Sequence, residues 1–241
     1  MEGVLGKVVL INDDQSEDSM YDLRVGTPDD AELAIECVRA TDPLLRAVFG
    51  TLKKRLPLTG SFSGHWIIEL RREAIVKEIY TKLPILLAEM ESHGLDCTRN
   101  LQGLTPRHHF LLDELEDLGI GFAYLSVRSK ASVEFLPPGS GGAVDEHGES
   151  VPTWISEFLF EPSNADVVNK LLKARARKKE VFIRADEYGV PWSVASYLTD
   201  DLIHVPTAAP ELQNGIDGVW LIYGTRGVRW DGEKWYSIKK D

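Results

Sequence analysis

Two carboxylates near the N-terminus, Asp22 and Glu36, sit in the short apolar-rich runs YDLRV and LAIECV, on either side of the polar connection GTPDDAE. If Val25 pairs with Leu33 across that connection, the register of an antiparallel hairpin places Asp22 opposite Glu36. Alternation gives the same answer: Leu23, Val25, Leu33 and Ile35 need a core, which leaves Asp22, Arg24 and Glu36 on the other face. Opposed side chains in such a pair have Cβ atoms roughly 4.5–5.5 Å apart, and two like charges there cost on the order of a few tenths of a kcal/mol. A hard divalent cation, Mg2+ or Mn2+, held between two carboxylates removes that cost. Arg24 on the same face, or open water, also removes it. The spacing thus admits a metal site or a charge-compensated surface pair.

The elements that must position the pair follow from periodicity and turn signals. VVLI (8–11) reads as a first strand, with YDLRV and LAIECV as the next two. TDPLLRAVFGTLKKRL opens a helix that Thr41 or Asp42 can cap, with Pro43 in its first turn. HWIIEL (65–70) is a strand, and a helical stretch from about Arg72 to His93 ends at Gly94. Pro84 is expected to kink or split it, since proline removes a donor and clashes with the preceding turn. Thr105-Pro106 starts another helix through Leu118, followed by the strand GFAYLSV (121–127). PPGSGGAVDEHGESVP (137–152) is expected to be a mobile loop, preceded by SVEF as a strand and followed by WISEFLF as a short helix. A second helix is expected over 164–179, then the strand VFIRAD (181–186) and the helix PWSVASYL. The tail GVWLIYGTRGVRWDGEKWYSI alternates around GTRG and DG turns, so it predicts an antiparallel meander with Trp220, Trp230 and Trp235 in its core. The order predicts a mixed α/β (α+β) fold, a central mixed sheet flanked by helices. Residues 1–200 are expected as one domain and 201–241 as a meander appended to it.

Composition narrows the classes. A chain of 241 residues with 43% apolar and 27% charged residues is that of a globular protein. No run of about 18 apolar residues occurs, so no transmembrane helix is expected. The opening MEGVLGKVVLIND turns acidic too early for a secretory signal. Cys37 and Cys97 match neither a zinc knuckle nor a disulfide framework, and a reducing, cytoplasmic compartment is expected. The net charge of −11 argues against wholesale attraction to nucleic acid. Residues 1–50 carry eleven acids against four bases, whereas KLLKARARKK (170–179) has six bases and no acid. That basic helix predicts local phosphate contacts through Lys170, Lys173 and Arg177, against the plainer reading of a solvated helix face.

MYDLRV (20–25) followed by AIECVRATD (34–42) resembles the Asp…Glu hairpin of the PD-(D/E)XK, restriction-endonuclease-like superfamily. It is most similar to a bacterial group with a DGS-x-x-MYDL…AVEVT-x-x-x-D pattern. The strand GGWMVSL of that group corresponds to SGHWIIEL here, and its helix ELPALLxELE to KLPILLAEME (82–91). The resemblance covers residues 12–95 closely and 105–200 loosely. It implies a mixed sheet flanked by helices, in which an Asp and a Glu on adjacent strands hold Mg2+ that activates water against a phosphodiester. Carried over, Asp22 and Glu36 are the metal ligands and catalytic carboxylates. The family's lysine, two residues after the Glu, stabilises charge at the phosphate. Here that position is Val38, and Arg39 points to the opposite strand face, so the lysine has to come from a helix. Lys77 and Lys82 are the candidates, and Lys77 completes the expected catalytic set.

Other groups carry less. His108 and His109 point in different directions on a helix and suit capping or the surface better than a metal. Glu69 can share the face of the acidic pair as a third acid or stand solvated. GSGG at 139–142 lacks the context of a phosphate-binding loop. Two functions therefore follow: a Mg2+- or Mn2+-dependent nuclease-like enzyme acting on nucleic-acid phosphodiesters, or a non-catalytic module that kept the fold and binds a protein partner.

Overall fold

The structure, a computed structural model, describes residues 1, 5–12, 20–27, 29–55, 57–99, 105–127, 131–140, 145–200 and 204–239. In chain order its elements begin β1 (Leu10–Ile11), β2 (Leu23–Gly26), β3 (Ala31–Ala40), α1 (Pro43–Lys53), β4 (His65–Leu70), α2 (Val76–Ser92), α3 (Pro106–Asp117), β5 (Ile120–Val127) and β6 (Ser132–Leu136). They continue with α4 (Ser150–Phe160), a 3-10 turn (Pro162–Asn164), α5 (Ala165–Lys173), β7 (Ala176–Ala185), α6 (Trp192–Thr199), β8 (Gly218–Tyr223), β9 (Arg226–Trp230) and β10 (Trp235–Lys239). The mixed α+β class is as expected. Among the described residues, no helix is long and apolar enough to cross a membrane.

The chain forms two compact units, Met1–Thr41 with Gly142–Asp241, and the inserted Asp42–Gly141. The expected division at residue 200 falls inside the first unit. The reason is strand pairing. The C-terminal strands β8, β9 and β10 do form the expected antiparallel meander, but β8 also pairs in parallel with β7, Val181 opposite Val219. The meander therefore supplies three strands of one seven-stranded sheet of order β1-β2-β3-β7-β8-β9-β10. Strands β3 and β7 are parallel neighbours, Ala34 opposite Lys179 and Glu36 opposite Val181, and a parallel pair needs a long crossover. Helices α4 and α5 lie in that crossover, after the inserted unit has left and returned.

One face of this sheet buries Ala34, Val181, Ile183, Val219 and Leu221 against Val151, Ile155 and Leu159 of α4, Val168 and Leu171 of α5, and Val194 and Leu198 of α6. Each such aliphatic side chain contributes about 1.5–3 kcal/mol by leaving water. On the other face Val25, Leu33 and Ile35 pack with Met1, Leu5 and Val9. Trp220 and Trp235 are buried and Trp230 packs against Trp235, so the three tail tryptophans serve the core as expected.

The inserted unit has its own sheet, β5-β4-β6, with β4 antiparallel to β5 and parallel to β6. Asp42 caps α1 by accepting from the Leu44 and Leu45 N–H groups, with Pro43 in the first turn. Helix α2 is one helix through Pro84, not two. Pro84 is buried with Ile79, Leu83, Leu86, Leu87 and Met90, and that burial offsets the roughly 3 kcal/mol cost of an internal proline. Gly94 ends it at φ +68, with Gly94 N–H donating to Glu91 O and Leu95 N–H to Met90 O, a Schellman closure that needs the left-handed glycine.

Three local expectations change. The helix expected over 164–179 stops at Lys173, and 176–179 belong to β7. Pairing with β3, Ala31 opposite Ala176, outweighs the helix preference of the Lys and Arg residues. Strand VVLI shortens to Leu10–Ile11. The expected loop at 137–152 ends earlier, because α4 begins at Ser150, whose N–H donates to Asp145 Oδ2. Residues 141–144 of that stretch lie outside the described residues.

Candidate acidic site on β3

The hairpin register is the expected one: Leu23 opposes Ile35, Arg24 opposes Ala34, and Val25 opposes Leu33. Continued one step, it brings Asp22 against Glu36 at the start of β2. There side chains take over from the ladder. The Asp22 N–H donates to Glu36 Oε2 at 3.2 Å, and the Cys37 N–H donates to Asp22 Oδ2 at 2.6 Å.

The face of β3 that carries Glu36 is covered, so the carboxylate is not open to water. Glu36 is 4% exposed, on the face that α5 packs against. From that helix Lys170 Nζ donates to Glu36 Oε1 at 3.0 Å, with Asp166 Oδ2 3.8 Å away one turn earlier. Arg24, which shares the strand face, is not the counter-ion: its Nη1 donates to Asn12 Oδ1 at 3.0 Å.

The electrostatics reflect this crowding. Burial pushes the Glu36 carboxyl above its ordinary value, the Lys170 hydrogen bond pulls it back, and the Asp22 charge pushes it up again. The ammonium of Lys170 is raised, chiefly by its hydrogen bond to Glu36. The two partners thus report differently on one pair. Lys170, with its side chain 24% exposed, gains from the contact, whereas Glu36 carries the desolvation. Desolvation of the sulfur and the charges of Asp22 and Glu36 lift the Cys37 thiol to about 12, although the residue lies at the surface.

The remaining expected site residues are distributed as follows. Lys77 is exposed on α2 of the inserted unit, and Lys82 pairs with Glu78 on the same helix. The lysine that meets Glu36 comes instead from α5, and sequence had assigned Lys170 to nucleic-acid contact. Lys173 is exposed at the end of α5, and Arg177 on β7 donates through Nη2 to both carboxylate oxygens of Asp30. Glu69 lies in the inserted unit, where its Oε2 accepts from Gly139 N–H. His108 Nδ1 accepts from the Thr105 N–H, a helix cap as expected.

No group of three or more His, Cys, Asp or Glu able to hold a metal occurs among the described residues. Two adjacent carboxylates alone do not make a closed structural metal site. Two carboxylates is the number that Mg2+ commonly takes from a protein, its other positions being filled by water and phosphate oxygens. Comparison with protein-family models, curated proteins and solved structures gives no match.

Proposed function

We propose that the discontinuous unit is a Mg2+-dependent nuclease-like centre in which Asp22 and Glu36 hold the metal and Lys170 supplies the cation missing at Val38. The observation that carries this reading is the contact of Lys170 Nζ with Glu36 Oε1 at 3.0 Å, beside an Asp22 bonded to the other Glu36 oxygen. Bound Mg2+ would polarise a phosphoryl oxygen and lower the pKa of a coordinated water. Lys170, tethered by Glu36, sits where it can neutralise charge on a phosphodiester bound at the pair. Substrate approach along the end of α5 would use Lys173 and, on β7, Arg177, whose surface pair with Asp30 is weak enough to exchange. The free thiols of Cys37 and Cys97 support a reducing, cytoplasmic setting.

A second reading has its own observation. Both oxygens of Glu36 are already engaged and the residue is nearly sealed from water, which suits a structural ion pair in a module that binds a protein partner. One experiment separates the two. Calorimetric titration of Mn2+ into the wild type and Glu36→Gln, followed by cleavage assays on labelled DNA and RNA with Lys170→Met, is expected to show binding lost in the first variant and cleavage lost in the second. Absence of Mn2+ binding to the wild type at millimolar concentration would sink the nuclease reading and leave the binding module.

A further inference from the structure

On the sheet face opposite Glu36, a cleft of about 340 Å³ opens over an apolar floor of Leu5, Val25 and Leu33. That is at the small end of the range for ligand pockets. Four cations line it, Lys7, Arg177, Lys178 and Arg229, against the carboxylates Glu32 and Glu180 in the lining and Asp30 beside it, which leaves an excess of one positive charge.

The cations are not equivalent. Arg229 is fixed: its Nε and Nη2 donate to Glu180 at 3.2 and 2.6 Å, and its guanidinium lies 4.6 Å from the Trp220 ring centroid. Trp220 Nε1 donates to the same carboxylate at 2.6 Å, and Glu180 is wholly buried. Gly218 leaves room here, since a Cβ would come within 2.6 Å of Trp230 O and 3.1 Å of Glu180 Cγ. Two of its five N–H donors are thereby used, which orients the group and leaves three. The other cations are loosely held. Lys7–Glu32 and Arg177–Asp30 are exposed pairs, each worth about 0–1 kcal/mol, so an incoming anion can recruit them. Lys178 is exposed at the rim.

We propose that this cleft binds a phosphate monoester carrying an apolar or aromatic group, of the size and charge of a mononucleotide. Lys178 and the two loosely paired cations can gather on a phosphate dianion, and a guanidinium held from behind is the donor suited to its oxygens. The floor takes the apolar part. The site shares no side chain with Asp22, Glu36 or Lys170, and only Arg177 with the proposed path of the phosphodiester, so it stands whether or not that centre is catalytic.

The test is calorimetric titration of adenosine 5′-monophosphate, adenosine and inorganic phosphate into the wild type, Lys178→Gln and Glu36→Gln. Lys178 is exposed, so its variant keeps the fold, unlike Arg229→Gln, which strands Glu180. The monophosphate is expected to bind the wild type and Glu36→Gln equally and Lys178→Gln roughly tenfold more weakly. Adenosine and inorganic phosphate are each expected to bind more weakly than the monophosphate. Inorganic phosphate binding as tightly as the monophosphate overturns the ligand class, since the floor then contributes nothing. Absence of binding at millimolar monophosphate, or loss in Glu36→Gln with none in Lys178→Gln, overturns the site.

Discussion

Glu91 of the inserted unit and Glu36 of the discontinuous unit are both drawn into hydrogen bonds, yet their surroundings act on them in opposite directions. Around Glu91 the donors are neutral and numerous: Ser63 N–H and Oγ at 2.8 Å, Gly64 N–H at 2.9 Å and Trp66 Nε1 at 2.9 Å. Burial alone would raise this carboxyl, but the four bonds together hold it below its ordinary value. Glu36 has one lysine, one N–H and a second acid as neighbours, and burial leaves it raised. The first arrangement is what a carboxylate needs to staple a loop to a helix. The second keeps an excess of negative charge in a partly desolvated place, which is useful only if something positive joins it. Perturbation of this kind concentrates at functional sites, although structural ion pairs also produce it.

A third carboxylate sets the scale for this contrast. Glu180 is fully buried and matched by the bidentate Arg229. Arg229→Ala removes the match and leaves an uncompensated charge, so chemical denaturation is expected to show a loss of about 3–5 kcal/mol. A loss below 1 kcal/mol would mean that water reaches Glu180 at little cost, and the scale would fail.

Glu91→Gln comes next in size. It replaces one of two acceptor oxygens with a donor that faces N–H groups, at a cost of about 1–3 kcal/mol. The pH dependence is distinctive. Because the folded carboxyl lies below its unfolded value, the stability it contributes is fully present above the ordinary glutamate range and is lost as pH falls through the lowered value. Wild type and variant should therefore converge in acid when stability is followed by urea titration at several pH values. Curves that stay parallel would show that the four donors do not favour the charged form.

What the sequence made visible was local. The β2–β3 register was legible because Leu23, Val25, Leu33 and Ile35 alternate with polar residues, and a hairpin fixes its own pairing. The tail meander was legible for the same reason. The burial of Glu36 was not, because it depends on α5 covering a face that alternation marks only as less apolar. Nor was the identity of its lysine, since Lys170 meets Glu36 through a parallel pair between β3 and β7 with a whole unit inserted between them. The run KLLKARARKK illustrates the limit best. Its composition is helical throughout, but its second half is claimed by the sheet, which separates Lys170 and Lys173 from Arg177 by a change of element.

The smallest expected effect is the most informative about Glu36. In metal-free buffer, Glu36→Gln removes a carboxyl whose folded value lies above its unfolded one. Such a group binds its proton more tightly in the folded state, so ionising it lowers stability as pH rises from the ordinary glutamate range through the raised value. The amide keeps an oxygen for Lys170 and gives up the long 3.2 Å bond from the Asp22 N–H, while it relieves the repulsion from the Asp22 carboxylate. Near neutral pH the variant is therefore expected to lie within about 1 kcal/mol of the wild type, with a flatter dependence on pH just above the ordinary glutamate range. Lys170 opposes this, since its raised value contributes stability that is present at neutral pH and lost only in strong alkali. If Glu36→Gln instead costs as much as Arg229→Ala, the pair with Lys170 is a structural ion pair like that of Glu180, and Glu36 loses its claim to differ from the carboxylates that only hold the fold.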